Sequence, residues 1–151
     1  MQSWEYMVVT GPMLDEIRGV CKEVIDLRMP PEAERTEQQK AFAYWYSTLG
    51  DAPVCIVQMT KAETDAGRRK MVLESVSASF QNLLLAAHAE GLGTCWMTGP
   101  LAKQDRLQAI LNIPQDKELT AITPLGLPAE SPAPGKRLDG SLQTKVTWVG
   151  F

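Results

Sequence analysis

The chain has 151 residues, with 18 acidic and 15 basic side chains, a net charge of −3 and 44% hydrophobic residues. That balance suits one globular domain with a real core. It excludes a nucleic-acid-binding footprint, because no basic block stands out, and no apolar run approaches the ~18 residues of a membrane span. With no signal-peptide pattern and three widely spaced cysteines in apolar settings, Cys21, Cys55 and Cys95, the expectation is a cytoplasmic protein with buried free thiols.

In chain order, Trp4 to Thr10 is an aromatic and β-branched run that reads as a core strand, entered at once with no preceding cap. Thr10-Gly11-Pro12 breaks it and supplies helix-start chemistry. Leu14, Ile17, Cys21, Val24 and Ile25 then recur at helical spacing, predicting an amphipathic helix over 13–27. Arg28 to Lys40 is polar and Pro-containing, which predicts an exposed loop. A second helix follows, carrying Phe42, Tyr44, Trp45, Tyr46 and Leu49 and closed by Gly50-Asp51. Ala52 to Met59 is the second strand, and Glu63 to Lys70 a polar approach to the next helix. Between Met71 and Glu90 the residues Val72, Val76, Phe80, Leu83, Leu84 and Ala87 make one continuous apolar stripe, stopped by Gly91. A further helix begins at Pro100-Leu101 and ends at Asn112 and Pro114. Leu119 to Leu127 reads as a strand placed by Pro124 near an edge or a bulge, and Thr144 to Phe151 alternates like a strand. There are no repeats and no linker, so the expectation is a single domain over 1–151 of the α+β class, a small mixed or antiparallel sheet packed with helices.

Polar catalysis is poorly supplied. His88 is the only histidine, which excludes a His-based zinc site, and no nucleophile elbow, C-x-x-C or P-loop is present. No catalytic side chain and no metal site is assigned. Gly91-x-Gly93 is not a dinucleotide fingerprint, because the glycines follow a helix and Trp96 occupies the position of the third glycine. What remains is a helix stop, an extended backbone over Thr94 to Thr98, and a Gly99-Pro100 turn. Such a segment either makes a tight connection into a core strand or hydrogen-bonds the edge of a planar heterocycle, with small positions letting the ring come close. Lys136-Arg137, an adjacent basic pair in a Gly/Pro loop, suits a phosphate as well as plain solvation.

These pieces fall in a familiar order. MQSWEYMVVT resembles the N-x-Q-P-W segment of the nitroreductase family, and SFQNLLLAAHAEGLGTCWMTGP resembles its N-L-L-L-A-A-x-x-x-G-L-G-T-x-W helix and turn. Leu111-Asn112-Ile113-Pro114, ITPLGLPAESP and GKRLDGSL resemble its L-x-I-P, P-L-G-Y-P-A-E and K-R-K-P-L segments. The resemblance implies a nitroreductase-like fold and a homodimer with FMN at the subunit interface. It also implies a flavin that takes hydride from NAD(P)H and passes electrons to a small-molecule acceptor, with no nucleic-acid or membrane partner. On the matching positions it implies that Gln2 and Ser3 touch the flavin ring or ribityl chain. Trp96, Met97, Thr98 and Gly99 would lie along the isoalloxazine edge, and Lys136 and Arg137 would clamp the phosphate. Variable substrate loops would fall at 28–50 and 60–72. The family's R-R-S-x-R-x-F helix has no match here, so the resemblance implies a domain short of its usual N-terminal helices. Asp139 replaces proline beside the phosphate clamp and sets a negative charge there. A redox-inactive relative that keeps the fold as a dimeric ligand-binding or regulatory module is the alternative.

Overall fold

The structure, a computed structural model, describes residues 2–130, 135 and 141–150. Its elements are β1 (Trp4–Val9), α1 (Pro12–Arg28), α2 (Glu37–Thr48), β2 (Val54–Lys61), α3 (Ala66–Ala89), β3 (Gly93–Thr94), α4 (Gln104–Leu111) and β4 (Lys117–Gly126). The four strands form one antiparallel sheet in the order β1-β2-β4-β3.

Strand alternation divides the interior in two. On one face Val9, Cys55, Val57, Met59, Leu119 and Ile122 meet Ile17, Val20, Cys21 and Val24 of α1, Ala43 and Tyr46 of α2, and Leu107 and Leu111 of α4. The other face is covered by α3, which buries Val72, Val76, Phe80 and Ala87. This second layer has a polar centre. The fully buried Gln58 amide donates to Val76 O at 2.8 Å and to Tyr6 Oη at 3.1 Å, and accepts from Thr120 Oγ1 at 2.9 Å. Tyr6 Oη in turn shares a 2.6 Å hydrogen bond with Ser79. Each buried polar group of Gln58 is therefore matched, which is the condition for tolerating an amide under a helix.

Helix ends follow local chemistry. Pro12 occupies the first turn of α1. α3 ends in a Schellman arrangement: Leu92 N–H donates to Ala87 O, Gly91 N–H donates to His88 O, and Gly91 adopts φ 77°.

Four expectations need correction. The loop predicted over 28–40 becomes helical at Glu37, because Thr36 and Gln39 form a reciprocal capping box. The polar approach over 63–70 is already helix from Ala66, since the Asp65 carboxylate accepts from Arg68 N–H at 2.8 Å and starts α3 early. Pro124 lies in the interior strand β4, opposite Cys55, and the β2/β4 register shift falls at Gln58/Met59 instead. Ile122 exchanges both backbone hydrogen bonds with Met97, so by alternation the position of Pro124 that lacks an N–H faces the same side. There β3 pairs only through Gly93 and Thr94, and Cys95 N–H turns to Thr123 Oγ1 at 3.0 Å, so no ladder bond is lost. The described part of the tail is a 3₁₀ turn over Leu142–Lys145 followed by an exposed stretch that joins no sheet among the described residues, so it is not a strand.

Candidate functional site

The segment from Gly93 to Pro100 is strand for only two residues. Beyond Thr94 its backbone pairs with that of β4 at Met97, whose N–H and C=O each bond Ile122 at 2.9 Å. Met97 is buried and its backbone is committed to the sheet, so of the four predicted residues here it is the one with no backbone group left for a ligand. Trp96 and Thr98, on either side, are exposed, and their N–H groups have no partner among the described residues. Alternation directs them away from β4. The Trp96 indole stands edge-on to Phe80 of α3, with ring centroids 4.8 Å apart. This fixes the side chain while 38% of the residue stays exposed.

Gly99 has a different reason from the one expected. A Cβ at this position would collide with Tyr46 Oη and stand 3.2 Å from an Arg28 guanidinium nitrogen. Glycine therefore admits a tyrosine of α2 from inside the protein, whatever lies outside. Tyr46 is 7% exposed, and its hydroxyl is enclosed without a hydrogen-bond partner. Burial first, and then the nearby Cys21 thiol, pushes its pKa up to about 12 against the pull of Arg28, so the hydroxyl keeps its proton. Arg28 itself is exposed and makes no ion pair or hydrogen bond with the described residues.

Gln2 and Ser3 stand at the start of β1. Gln2 is exposed, whereas the Ser3 carbonyl accepts from Thr60 Oγ1 at 2.8 Å and the Ser3 hydroxyl is enclosed without a partner. Because β1 and β3 are the two edges of the sheet, these residues and Trp96–Gly99 are separated by three strand spacings, about 14 Å. One chain does not bring the two predicted groups together. Lys136 and Arg137 lie outside the described residues.

A cavity of about 670 Å³ runs beside the first half of α3, lined by Thr64, Ala66, Arg69, Lys70, Leu73, Glu74 and Ser77. It includes none of the predicted contact residues, though it overlaps the 60–72 stretch expected to be variable. The thiols are poor nucleophiles: burial pushes Cys21 and Cys55 each up to about 12 and also raises Cys95. Sequence reasoning missed Arg28 and Tyr46 as individuals. The aromatic density of Phe42, Tyr44, Trp45 and Tyr46 was the available signal, but nothing local says which ring faces the glycine turn.

Among known proteins, the model described as "Nitroreductase family" matches residues 1–127. A Methanothermobacter thermautotrophicus protein named for an inferred NADH dehydrogenase/NAD(P)H nitroreductase activity is 38% identical over 88 residues. That match covers 54% of this chain and 44% of the relative, so it spans under half of the relative's length. The structure of a variant of an FMN- and NADPH-dependent nitroreductase from Sphigopyxis sp. strain HMH superposes with a TM-score of 0.78 at 16% identity, covering 100% of this chain and 81% of that one. A Desulfovibrio desulfuricans protein named for an inferred nitroreductase, in complex with FMN, superposes with a TM-score of 0.67 at 20% identity over 99% of this chain and 73% of its own. At those identities the likeness is one of fold: the α+β nitroreductase-like architecture.

Proposed function

The chain belongs to the nitroreductase family, and from that premise we propose that it is a flavin oxidoreductase. It holds FMN, accepts hydride from NAD(P)H and delivers electrons to a small organic acceptor. The observation that supports this best is the pair of outward, unpartnered N–H groups at Trp96 and Thr98, flanking a Met97 locked to β4. Two donors at i and i+2 on a rigid edge fit the row of acceptors along one side of an isoalloxazine ring. Bound there, FMN supplies the hydride and electron chemistry, which agrees with the absence of an assigned acid, base or nucleophile.

The chain's own residues do the rest by position. Trp96 and Thr98 N–H orient the ring edge, and the T-shaped contact of Trp96 with Phe80 keeps that edge from shifting. Gln2 and the enclosed Ser3 hydroxyl offer polar contacts to the ring or ribityl chain, and Lys136 with Arg137 offers charge to the phosphate. Since Gln2-Ser3 and Trp96–Gly99 stand on opposite sheet edges, one flavin reaches both groups only when a second copy supplies one of them. The functional unit is therefore a homodimer. Exposed apolar side chains along α3, Met71 at 60% and Leu85 at 57%, support such a surface, as do Trp148 at 75% and Val149 at 83% in the tail. Three unpaired cysteines suit a reducing cytoplasm. No helix among the described residues is long and apolar enough to cross a membrane.

The test is the visible spectrum of the purified chain after incubation with excess FMN and desalting, together with its sedimentation. The expected result is a retained flavin band near one FMN per chain, bleached by NADH or NADPH, on a dimer. A folded but colourless protein would falsify the flavin reading and leave the dimeric ligand-binding module as the surviving alternative.

A further inference from the structure

One polar node ties the sheet to α3. Tyr6 and Gln58 stand opposite each other in the β1/β2 ladder, and both side chains reach α3. Tyr6 Oη shares a 2.6 Å hydrogen bond with Ser79 Oγ, while the Gln58 amide donates to Tyr6 Oη at 3.1 Å and to the Val76 carbonyl at 2.8 Å. In an α-helix that carbonyl also receives the Phe80 N–H, so the amide grips the turn that carries Phe80. Ser79 belongs to the same turn. Phe80 is fully buried, and the Trp96 indole stands edge-on against its ring. The apolar row Val72, Val76, Phe80 and Ala87 decides which face α3 buries. Such a row tolerates a small slide along the sheet, whereas directional hydrogen bonds do not.

We propose that Tyr6 is a positioning residue for the flavin. Its hydroxyl, held by Gln58, fixes Ser79 and the α3 turn behind Phe80, and thereby the angle at which Trp96 and its N–H meet the ring edge. The Trp96 segment needs this support. Its backbone is tied to β4 at Met97, and Cys95 N–H goes to a side chain, Thr123 Oγ1. Trp96 points away from β4, and its N–H has no partner among the described residues. The orientation of its ring is therefore set by what it leans on, and that is Phe80. Tyr6 lies on the β1 edge of the sheet and Trp96 beyond the β3 edge, so the influence passes through α3, which touches both. The claim on the flavin rests on the flavin reading above; the claim on Trp96 does not.

Two variants each remove one atom of the network and keep the rings: Tyr6→Phe takes away Oη, and Ser79→Ala takes away Oγ. The full chain, labelled with fluorotryptophan at Trp4, Trp45, Trp96 and Trp148, is read by fluorine NMR without flavin, each resonance being assigned by its Trp→Phe variant. Both network variants are expected to shift or broaden the Trp96 resonance and to leave that of Trp45, which packs on the α1 side, in place. Thr36→Ala, which lowers stability through the cap of α2, is expected to leave Trp96 in place too. With FMN added, both network variants are expected to weaken flavin binding by about three- to tenfold and to alter the visible circular dichroism of the bound flavin, while Thr36→Ala does neither. A Trp96 resonance that stays put in both variants, or moves equally in Thr36→Ala, overturns the proposal. Network variants that bind FMN with unaltered affinity and dichroism overturn it as well. The two readings fail separately: an unaltered chain that takes up no FMN sinks the flavin reading and the flavin part of this proposal, while the Trp96 resonance, read without FMN, still decides whether Tyr6 holds that segment.

Discussion

At the scale of single residues, Gly99 shows how a glycine can be required for a reason unrelated to any ligand. Its Cβ position is claimed by Tyr46 Oη, so Gly99→Ala forces either the turn or the α2 tyrosine to move. Overpacking of this kind costs about 1–3 kcal/mol. The expected outcome is a clear drop in stability for Gly99→Ala and partial recovery in the Gly99→Ala/Tyr46→Phe double variant, since phenylalanine removes only the colliding atom. Chemical denaturation of the two single variants and the double variant reads the coupling directly. Strict additivity would show that this contact does not select the glycine.

At the scale of elements, α2 depends on its entry. The helix has an intermediate character, burying only Ala43 and Tyr46, so packing contributes less to it than to α1, which buries six residues. The capping box therefore matters more: Thr36 Oγ1 accepts from Gln39 N–H at 3.2 Å, and the Gln39 side chain accepts from Thr36 N–H at 2.9 Å. Thr36→Ala is expected to lower stability by about 1 kcal/mol. It should also speed hydrogen exchange in the first turn of α2 ahead of α1 and α3, because loss of a cap frays the end it holds. Uniform exchange across all three helices would mean that α2 opens only with the whole domain.

At the scale of the whole molecule, the core on the α1 side encloses two thiols and a phenol that resist ionisation. Burial raises Cys21 and Cys55 from 9.0 to about 12, and Tyr46 from 10.0 to about 12. In the unfolded chain these groups lose their protons first, so between those values the folded state binds more protons than the unfolded one. The contribution to stability is therefore complete below pH 9 and is lost as pH rises toward 12. Each thiol removes about 1.4 kcal/mol per pH unit in that window. Denaturation midpoints measured across pH should fall steeply above pH 9, and the slope should flatten in a Cys21→Ala/Cys55→Ala variant. An unchanged slope would place the alkaline sensitivity elsewhere.

The amino-acid order alone settled where most elements stop and start, because those signals act within a few residues. Gly91 ends α3 through its own positive φ, Pro12 opens α1, and Asn112 closes α4 in the left-handed region. The capping pair Thr36 and Gln39 is equally local, yet the reading of 28–40 as a polar, Pro-containing loop did not use it. The order of motifs from Met1 to Leu142 also sufficed to indicate the family, whose model matches residues 1–127. Only the tertiary structure decided the rest, since contacts between residues distant in sequence have no local signature. It put Gln2-Ser3 and Trp96–Gly99 on opposite edges of one sheet and committed the Met97 backbone to β4. It gave Pro124 an interior strand by leaving its N–H side unpaired, and it brought Tyr46 and Arg28 to Gly99. Strand order and helix packing depend on which faces bury together, and that is a property of the assembled core.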